Sequence, residues 1–361
     1  MIPRLLLLGV LIAVLPAELR AQEEPLDDDA AVLAALTTPQ PRDAAIAKGL
    51  AWLRTQVGAD GLLVGRTPVA VTSLGLMAHL AAGVNADDPQ HGPWIRRALT
   101  AVLDKQAADG YWGSQDNSKM YGHGIATLLA AESLGSLRDA ALNERLRVAL
   151  EKAIAVTVAA ARVPKPAQHQ GGWRYQPSSN DSDLSLSGWQ LLSLVAAQHV
   201  GITVPEEVIT GAVAYTRGLI TDDGKVGYQR ITDERPALRG LALLALSLSA
   251  TGAAAKDPRA AGDRRRMAAV TRAMFADPPG WDGSWTLYRT HYDAIGLSRT
   301  DPKAWERYRP LLQRVLLSRQ AADGHWDAPQ GKELDHGPVY ATAMAVLSLA
   351  VDRQVLPAFA R

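Results

Sequence analysis

Two kinds of apolar segment alternate along the chain. One kind carries charges on a single face, as in PWIRRALTAVLDKQ, LNERLRVALEKAIAVTVAAA and DPKAWERYRPLLQRVLLSRQ. The other kind is almost free of charge, as in VAVTSLGLMAHLAAG, HGIATLLAAESLG, LSLSGWQLLSLVAAQHVG, LRGLALLALSLSATG and VYATAMAVLSLAV. The first pattern is typical of helices with one solvent-exposed side, whereas a helix that is apolar all round has to be buried on every side.

A short turn signature separates each amphipathic segment from the uncharged segment that follows it. The six copies read QVGADGLL, QAADGYWG, HQGGWRYQ, TDDGKVGYQ, GWDGSWTLY and QAADGHWD. Their Asp-Gly or Gly-Gly pairs begin at positions 60, 109, 171, 223, 282 and 323, a spacing of roughly 40 to 60 residues. A period of this length corresponds to one helical hairpin in each repeat.

Six amphipathic helices that alternate with six buried helices predict an all-α fold, an α/α toroid. In this toroid an inner ring of apolar helices is wrapped by an outer ring of amphipathic helices. An open solenoid is the alternative, although both helices of a solenoid repeat are usually amphipathic. The glycines of the turns supply the positive φ that ends each outer helix. Because every turn leads from an outer to an inner helix, we expect the N-termini of the inner helices to surround one common mouth.

The N-terminal part of the chain differs in composition from the rest. Residues 1–21 contain an early arginine, a short apolar run and small residues before Gln22, which predicts a cleaved signal peptide. The apolar run is short for a membrane span, so we expect an exported protein, periplasmic or secreted, with no stable membrane span. Residues 22–42 are acidic and then rich in Pro and Thr, which predicts a flexible leader before a toroid domain at 43–361.

Charge and cysteine content exclude several classes of function. The 38 Lys and Arg residues nearly balance the 37 Asp and Glu residues, and no long basic run is present, so nucleic acid is not an expected partner. The chain has no cysteine, which excludes disulfides, thiolate catalysis and cysteine-ligated zinc. We therefore predict no cofactor, and the sequence leaves the oligomeric state open.

The two best copies of the turn, Gln106 to Trp112 and Gln320 to Trp326, read Q-x-x-D-G-x-W. They resemble the QW repeats of squalene and hopene cyclases and the matching repeats of protein prenyltransferase β subunits. The resemblance spans about residues 44–361 and is strongest to single-domain, exported prenyltransferase/squalene oxidase repeat proteins, in which segments such as MYGHGIATLLAAE, GGWRYQP and DSDLSLSGWQ recur. It implies that the glutamine hydrogen-bonds near a helix end while the tryptophan stacks on it, a structural role.

The stretch NDSDLSLSG contains the candidate catalytic acids. Class II terpene cyclases, which the chain resembles, protonate an alkene through a D-x-D-D motif at the start of an inner helix. Asp181 and Asp183 match the first and third positions, and Asp183 would inherit the general-acid role, but Leu184 replaces the fourth acid. If the protein is an enzyme, the resemblance therefore implies a terpene cyclase or mutase with an incomplete acid motif. The alternative is that these acids cap the free N–H groups of the helix that follows.

The candidate ligand-binding residues lie near the starts of the predicted inner helices. The histidines among them belong to repeats two, five and six, so either they meet in an acid–base or zinc site or each bonds to its own turn. No H-E-x-x-H pair is present, and we predict no metal site. The candidates are Tyr121, His123, Trp189, Tyr288, Arg289, His291, Tyr292, Asp335, His336 and Tyr340.

The fifth repeat departs from the pattern. Its inner segment, TLYRTHYDAIGLSR, carries charges where an uncharged helix is expected. Charges on a buried helix are costly unless they are paired or used. Either this helix lines the cavity with its charges, or it begins later or is displaced to the surface.

Three functions follow from these patterns. The first is binding of a lipid-like, isoprenoid or other extended ligand in the central cavity, with turnover left open. The second is a carbohydrate-active lyase or hydrolase, in which Asp181 or Asp183 acts with His123 or Arg289. The third is a non-catalytic scaffold. The chain has only 2 Phe, and several of its 9 Trp lie in turns, which argues against the aromatic cavity that a carbocation cascade requires.

Overall fold

The computed structural model describes residues 40–248, 258–353 and 355–356. Over these residues the chain is helical, with isolated β-bridges and no β-strand. The predicted signal peptide and nearly all of the predicted leader lie outside the described residues. The outer helices are α1 (Pro41–Thr55), α3 (Gly92–Asp104), α5 (Ala140–Ala161), α7 (Glu206–Gly218), α9 (Asp263–Ala276) and α11 (Pro302–Leu317). The inner helices are α2 (Pro68–Ala81), α4 (Lys119–Ser133), α6 (Leu184–His199), α8 (Arg239–Ser247), α10 (Thr286–Thr300) and α12 (Gly337–Ala350).

The inner helices form a closed ring. Each packs against the next, in the order α2, α4, α6, α8, α10 and α12, and α12 packs in turn against α2. The outer helices lie against the inner ring, and α11 contacts α1 across the same junction. An open solenoid would leave the first and last repeats apart. The predicted all-α toroid of six hairpins is therefore confirmed.

The two kinds of helix are buried as the charge pattern predicts. The buried residues of α3 include Ile95, Ala98, Leu99 and Val102, which lie on one face of the helix. In α2, by contrast, every residue after Pro68 is buried. The stretch Gly331–Arg353, which contains α12, is apolar and long enough to cross a membrane by composition, but 72% of its apolar window is buried inside the protein.

The fifth inner helix, α10, lies in the ring and begins at Thr286. Two of its charged residues, Arg289 and Asp293, face the outer layer, where they are paired. The Tyr308 hydroxyl of α11 donates a hydrogen bond to Asp293 Oδ2 at 2.7 Å, and Arg289 Nε lies 3.4 Å from the same oxygen. The helix is therefore part of the inner ring and is not displaced to the surface. Arg289 and Asp293 do not line the cavity, because they bind to each other and to the outer layer.

Four of the six turn glycines, Gly110, Gly171, Gly224 and Gly324, pack against the backbone of the next outer helix. Gly110 and Gly324 have φ angles of 93° and 104°, which side chains other than glycine adopt rarely. A Cβ atom on Gly110 would lie 2.7 Å from the backbone of Lys152 in α5, and one on Gly324 would lie 2.6 Å from the carbonyl oxygen of Lys48 in α1. These glycines therefore serve two purposes, because they reverse the chain and allow backbone-to-backbone contact between repeats.

The glutamine of each good turn copy joins the same two elements. Gln320 Nε2 donates to the carbonyl oxygen of Gly324 at 2.8 Å and to that of Ala45 in α1 at 2.9 Å. Gln106 makes the equivalent pair of bonds within its turn and to α5. The buried Trp326 indole donates back to the Leu316 carbonyl oxygen of α11 at 2.8 Å. The sixth turn thus connects the last outer helix to the first.

Replacing the glycine at this junction tests its packing role. We expect Gly324→Ala to reduce the free energy of unfolding by about 3 kcal/mol, because a positive φ and a backbone clash are both imposed on alanine. Gly135→Ala is the matched control, since Gly135 has a φ of 80° but nothing within 4 Å of a Cβ atom. The control should lose only about 1 kcal/mol in urea denaturation. Equal losses in the two variants would contradict the packing role.

Candidate functional site

A cavity of about 700 Å³ opens at the N-terminal ends of the inner helices. This volume lies within the range of small-molecule binding sites. Its inner wall is formed by residues of all six repeats, Ala70, Val71, Leu74, Tyr121, Ile125, Ser185, Trp189, Ala237, Leu238, Tyr288 and Tyr340. An opening of similar volume lies between α5 and α7 on the outside of the ring and contains none of the predicted site residues.

The cavity wall is aromatic because tyrosines supply the rings that phenylalanine does not. The hydroxyl of Tyr121 donates to Ser185 Oγ at 3.1 Å, and Ser185 Oγ donates to the Tyr288 hydroxyl at 2.9 Å. These hydroxyls bond to one another, which leaves apolar ring surface for a ligand. Burial raises the pKa of Tyr121 and of Tyr288 well above the usual value, so both stay neutral. The expectation of a cavity poor in aromatic surface was therefore wrong.

The tryptophan of the wall is supported from behind. Trp189 lies between the cavity and His291, whose ring stacks against the indole with centroids 6.0 Å apart. Tyr292 packs edge-on against the same indole at 5.5 Å. Burial lowers the pKa of His291 to about 3, so the imidazole is neutral at physiological pH. His291 and Tyr292 thus position Trp189 and are not part of the cavity lining.

Asp183 is the N-cap of α6. Its Oδ1 accepts a hydrogen bond from the Leu186 N–H at 2.8 Å, and its Oδ2 accepts one from Arg174. The side chain is fully buried and does not line the cavity. Burial raises the pKa of Asp183, and the Leu186 N–H and the Arg174 guanidinium oppose that shift. The capping alternative therefore describes this geometry, and a catalytic role for Asp183 stays a prediction.

Arg174 connects the acid pair to the cavity mouth. Its Nε lies 3.2 Å from Asp181 Oδ2, and its NH1 group donates to the Tyr228 hydroxyl at 2.9 Å. The guanidinium also lies over the Tyr175 ring, 4.4 Å from the centroid. Tyr175 and Tyr228 both line the mouth. The two acids consequently hold one arginine that orders two aromatic residues of the mouth.

The ten candidate ligand-binding residues divide into two sets. Six of them line the cavity, namely Tyr121, Trp189, Tyr288, Asp335, His336 and Tyr340. His123, Arg289, His291 and Tyr292 do not. His123 faces α5, with Nε2 3.1 Å from Thr157 Oγ1, and burial lowers its pKa to about 4.

The pairings suggested for a carbohydrate-active enzyme are not assembled in the cavity. Asp183 is turned into the start of α6, His123 packs on α5, and Arg289 faces the outer layer. In the described part of the chain, no group of three or more His, Asp or Glu residues is arranged to hold a metal ion. The histidines of repeats two, five and six therefore do not converge there.

A buried acid, Glu333, lies behind the wall and is not among the predicted site residues. Its Oε1 accepts hydrogen bonds from the Tyr288 N–H at 2.9 Å and from the Tyr340 hydroxyl at 3.1 Å, and its Oε2 accepts one from the Leu287 N–H at 3.2 Å. Glu333 thus caps α10 from the segment that precedes α12. Burial raises its pKa from 4.5 to about 7, against the effect of these hydrogen bonds. The local sequence has no signal for this cap, because donor and acceptor belong to different repeats.

The mouth itself contains further residues that are not among the predicted site residues. They include cations, aromatic rings and one acid that is partly exposed. They are Arg66, Asp116, Lys119, Tyr175, Tyr228, Arg235, Trp285 and Lys332.

Comparison with known proteins supports the fold. No protein-family model matches the chain, and no curated protein matches it. Among solved structures, the chain is similar to the type II terpene cyclase MstE from Scytonema. One of these structures is a variant of MstE in complex with its substrate, geranylgeranyl dihydroxybenzoate. The match has 14% sequence identity and a TM-score of 0.54, and it covers 88% of this chain and 98% of that chain. The apo form gives 15% identity, coverage of 88% and 100%, and a TM-score of 0.54. At this identity the similarity shows that the fold is that of a terpene cyclase toroid.

Three aspartate substitutions separate the roles of the acid pair. We expect Asp183→Ala to reduce the free energy of unfolding by about 3 kcal/mol, since it removes a cap and leaves Arg174 without its buried partner. Asp181→Ala is the control, because that side chain is 41% exposed and its ion pair contributes less than about 1 kcal/mol. Asp183→Asn should lie between them, because asparagine also caps helices. Urea denaturation measures all three, and equal losses for Asp183→Ala and Asp181→Ala would contradict this role.

Glu333 should make stability depend on pH in a definite direction. Its pKa is raised in the folded state, so between pH 4.5 and about 7 the folded protein binds a proton that the unfolded chain has lost. The free energy of unfolding should therefore fall as the pH rises through this window, by about 3 kcal/mol from this residue. The neutral Glu333→Gln variant should lack this fall. Parallel pH profiles of unfolding free energy for the two proteins would show that Glu333 titrates normally.

Proposed function

We propose that the central cavity binds a lipid-like ligand of isoprenoid type. The observation that carries the proposal is the cavity of about 700 Å³, which has aliphatic and aromatic walls contributed by all six repeats. The hydroxyls of Tyr121 and Tyr288 both bond to Ser185, so ring faces and edges are available to an apolar chain. A terpene cyclase with the same fold has geranylgeranyl dihydroxybenzoate as its substrate, which supports an isoprenoid tail.

The alternatives have less support. A carbohydrate-active enzyme requires two acids across a cleft, or a base beside a cation, and the pairs of Asp181 or Asp183 with His123 or Arg289 are not assembled. A scaffold has no need of a cavity in its centre, and side chains would be expected to fill it. Ligand binding uses the cavity as it stands.

Binding is better supported than turnover. Protonation of an alkene requires a strong acid aimed at the substrate, whereas Asp183 is bound to Arg174 and to the Leu186 N–H. Leu184, which replaces the fourth acid of the D-x-D-D motif, is buried at the first position of α6. If the protein is a cyclase or mutase, Asp183 and Asp181 remain its candidate acids.

We also propose that the protein is exported and belongs with the single-domain prenyltransferase/squalene oxidase repeat proteins. The composition of residues 1–21 supports export. The turns at Gln106 and Gln320, with their paired hydrogen bonds to the next outer helix, support the relationship.

Filling the cavity tests the proposed function. Geranylgeraniol is titrated into the protein by calorimetry, and wild-type protein is expected to bind it. Ala237→Trp places a large side chain in the cavity and should weaken binding at least about tenfold, because it takes up the volume that the tail requires. Ala141→Trp on the exposed face of α5 is the matched control and should bind as wild type does. No binding by wild-type protein, or equal binding by Ala237→Trp, would overturn the proposal.

A further inference from the structure

The cavity has a polar entrance above an apolar interior. Exposed or partly exposed cations lie at the entrance, where Arg66 precedes α2, Lys119 begins α4 and Lys332 precedes α12. Deeper in the cavity the wall consists of aliphatic and aromatic side chains, such as Leu74 and Ile125. A ligand that satisfies both zones has an apolar tail and a polar head.

The three cations are available to a ligand. Within the described residues, Arg66 and Lys332 form no ion pair, and Lys119 has its Nζ 5.6 Å from the centroid of the Tyr175 ring. Arg235, a fourth cation of the mouth, differs because it is paired with Asp233 at 2.9 Å. Among the described cations that line the cavity, Arg66, Lys119 and Lys332 therefore present a charge without a carboxylate partner.

The acids near the mouth are directed at backbone N–H groups. Asp116 Oδ2 accepts from the Val69 N–H at 2.9 Å, near the start of α2, and its Oδ1 accepts from the Ser118 N–H at 3.0 Å. Glu333 is bound in the same way to the start of α10. Carboxylates in these positions compensate the helix dipoles. Among the described residues that line the cavity, Asp335 is left as the one well-exposed acid.

The backbone at Lys119 is held in an uncommon conformation. Lys119 and Asn117 have φ angles of 58° and 56°, and they are the residues other than glycine with positive φ in the described chain. The Lys119 N–H donates to the Gly113 carbonyl oxygen at 3.0 Å, and a Cβ atom on Gly113 would lie 2.1 Å from the Lys119 carbonyl oxygen. Strained backbone conformations of this kind persist where neighbouring contacts hold them in place, and they are concentrated at ligand-binding sites.

His336 does not add to the positive charge of the mouth. Burial lowers the pKa of His336, and the positive charge of Arg66 lowers it further, whereas the negative charge of Asp335 raises it. Arg66 precedes α2 and His336 precedes α12, and both residues line the same cavity, as Lys119 and Lys332 also do. The cations therefore face a shared space.

We propose that the mouth recognises the anionic head of an amphiphile, a phosphate or a carboxylate, while the tail occupies the cavity. This inference rests on the proposed function, because the tail site is the one proposed above. Arg66, Lys119 and Lys332 bind the head group through charge-assisted hydrogen bonds. A cationic head would suit the aromatic rings but would be repelled by these three side chains.

A series of ligands with one tail and four heads tests this inference. The probes are geranylgeranyl phosphate, geranylgeranoic acid, geranylgeraniol and geranylgeranylamine, titrated by calorimetry at low and at high salt. At low salt the phosphate and the acid should bind at least about tenfold more tightly than the alcohol, and the amine should bind most weakly. The advantage of the anions should shrink at high salt, because the head group is near solvent.

A double variant locates the effect. Arg66→Gln combined with Lys332→Gln leaves Lys119 as the remaining one of these three cations, so it should bring the affinity for the phosphate closer to that for the alcohol, and it should leave the affinity for the alcohol unchanged. Lys303→Gln is the matched control, an exposed lysine at the start of α11, and should keep the preference for the phosphate. Thermal unfolding of each variant checks that the fold is retained.

The outcomes separate the two proposals. If none of the four probes binds, the proposed function fails and the inference fails with it. If the alcohol binds as tightly as the phosphate, if the amine binds more tightly, or if the double variant keeps the full preference, the inference alone is overturned.

Discussion

Close backbone packing between four of the six turns, those at Gly110, Gly171, Gly224 and Gly324, and the next outer helix is the constraint on which the rest of the structure depends. Gly110 and Gly324 have no room for a Cβ atom, and Gln106 and Gln320 hydrogen-bond across the same junctions. Because these contacts fix the spacing between repeats, the sixth turn reaches α1 and the ring closes. Closure surrounds the uncharged helices with protein and brings their N-termini together. The cavity is a consequence, since it is the space left where six helix starts meet.

The charges around that space are arranged by the same helix starts. Asp116, Asp183 and Glu333 each bind backbone N–H groups at the beginning of an inner helix. Fixing the carboxylates in this way stabilises the helices and leaves cations at the entrance. Asp183 has a second effect, because it holds Arg174 and thereby Tyr228 at the mouth. Structural and binding roles are thus combined in the segment NDSDLSLSG.

The architecture could be predicted from the sequence because it depends on periodicity and charge, which are local properties. The capping of α6 by Asp183 was also among the interpretations of the sequence, because a cap depends on residues that are neighbours in the chain. The directions of His123, His291 and Arg289 could not be predicted, because a helix without a polar face carries no mark of which side faces the cavity. Glu333 could not be found, since it caps a helix of another repeat. Tyr121, Trp189, Tyr288 and Tyr340 of the wall were among the predicted residues, but the low number of Phe and the Trp in turns gave too low an expectation of aromatic surface, because tyrosine supplies most of the rings.

Binding of an amphiphile by the cavity accounts for its apolar depth, its aromatic walls and its basic mouth together. The most direct measurement is a crystal structure of the wild-type protein grown with geranylgeranyl phosphate. The account predicts the tail against Trp189, Tyr288 and Tyr340, and the phosphate within hydrogen-bonding distance of Arg66, Lys119 or Lys332. Ligand density outside the ring with an unoccupied central cavity would contradict it.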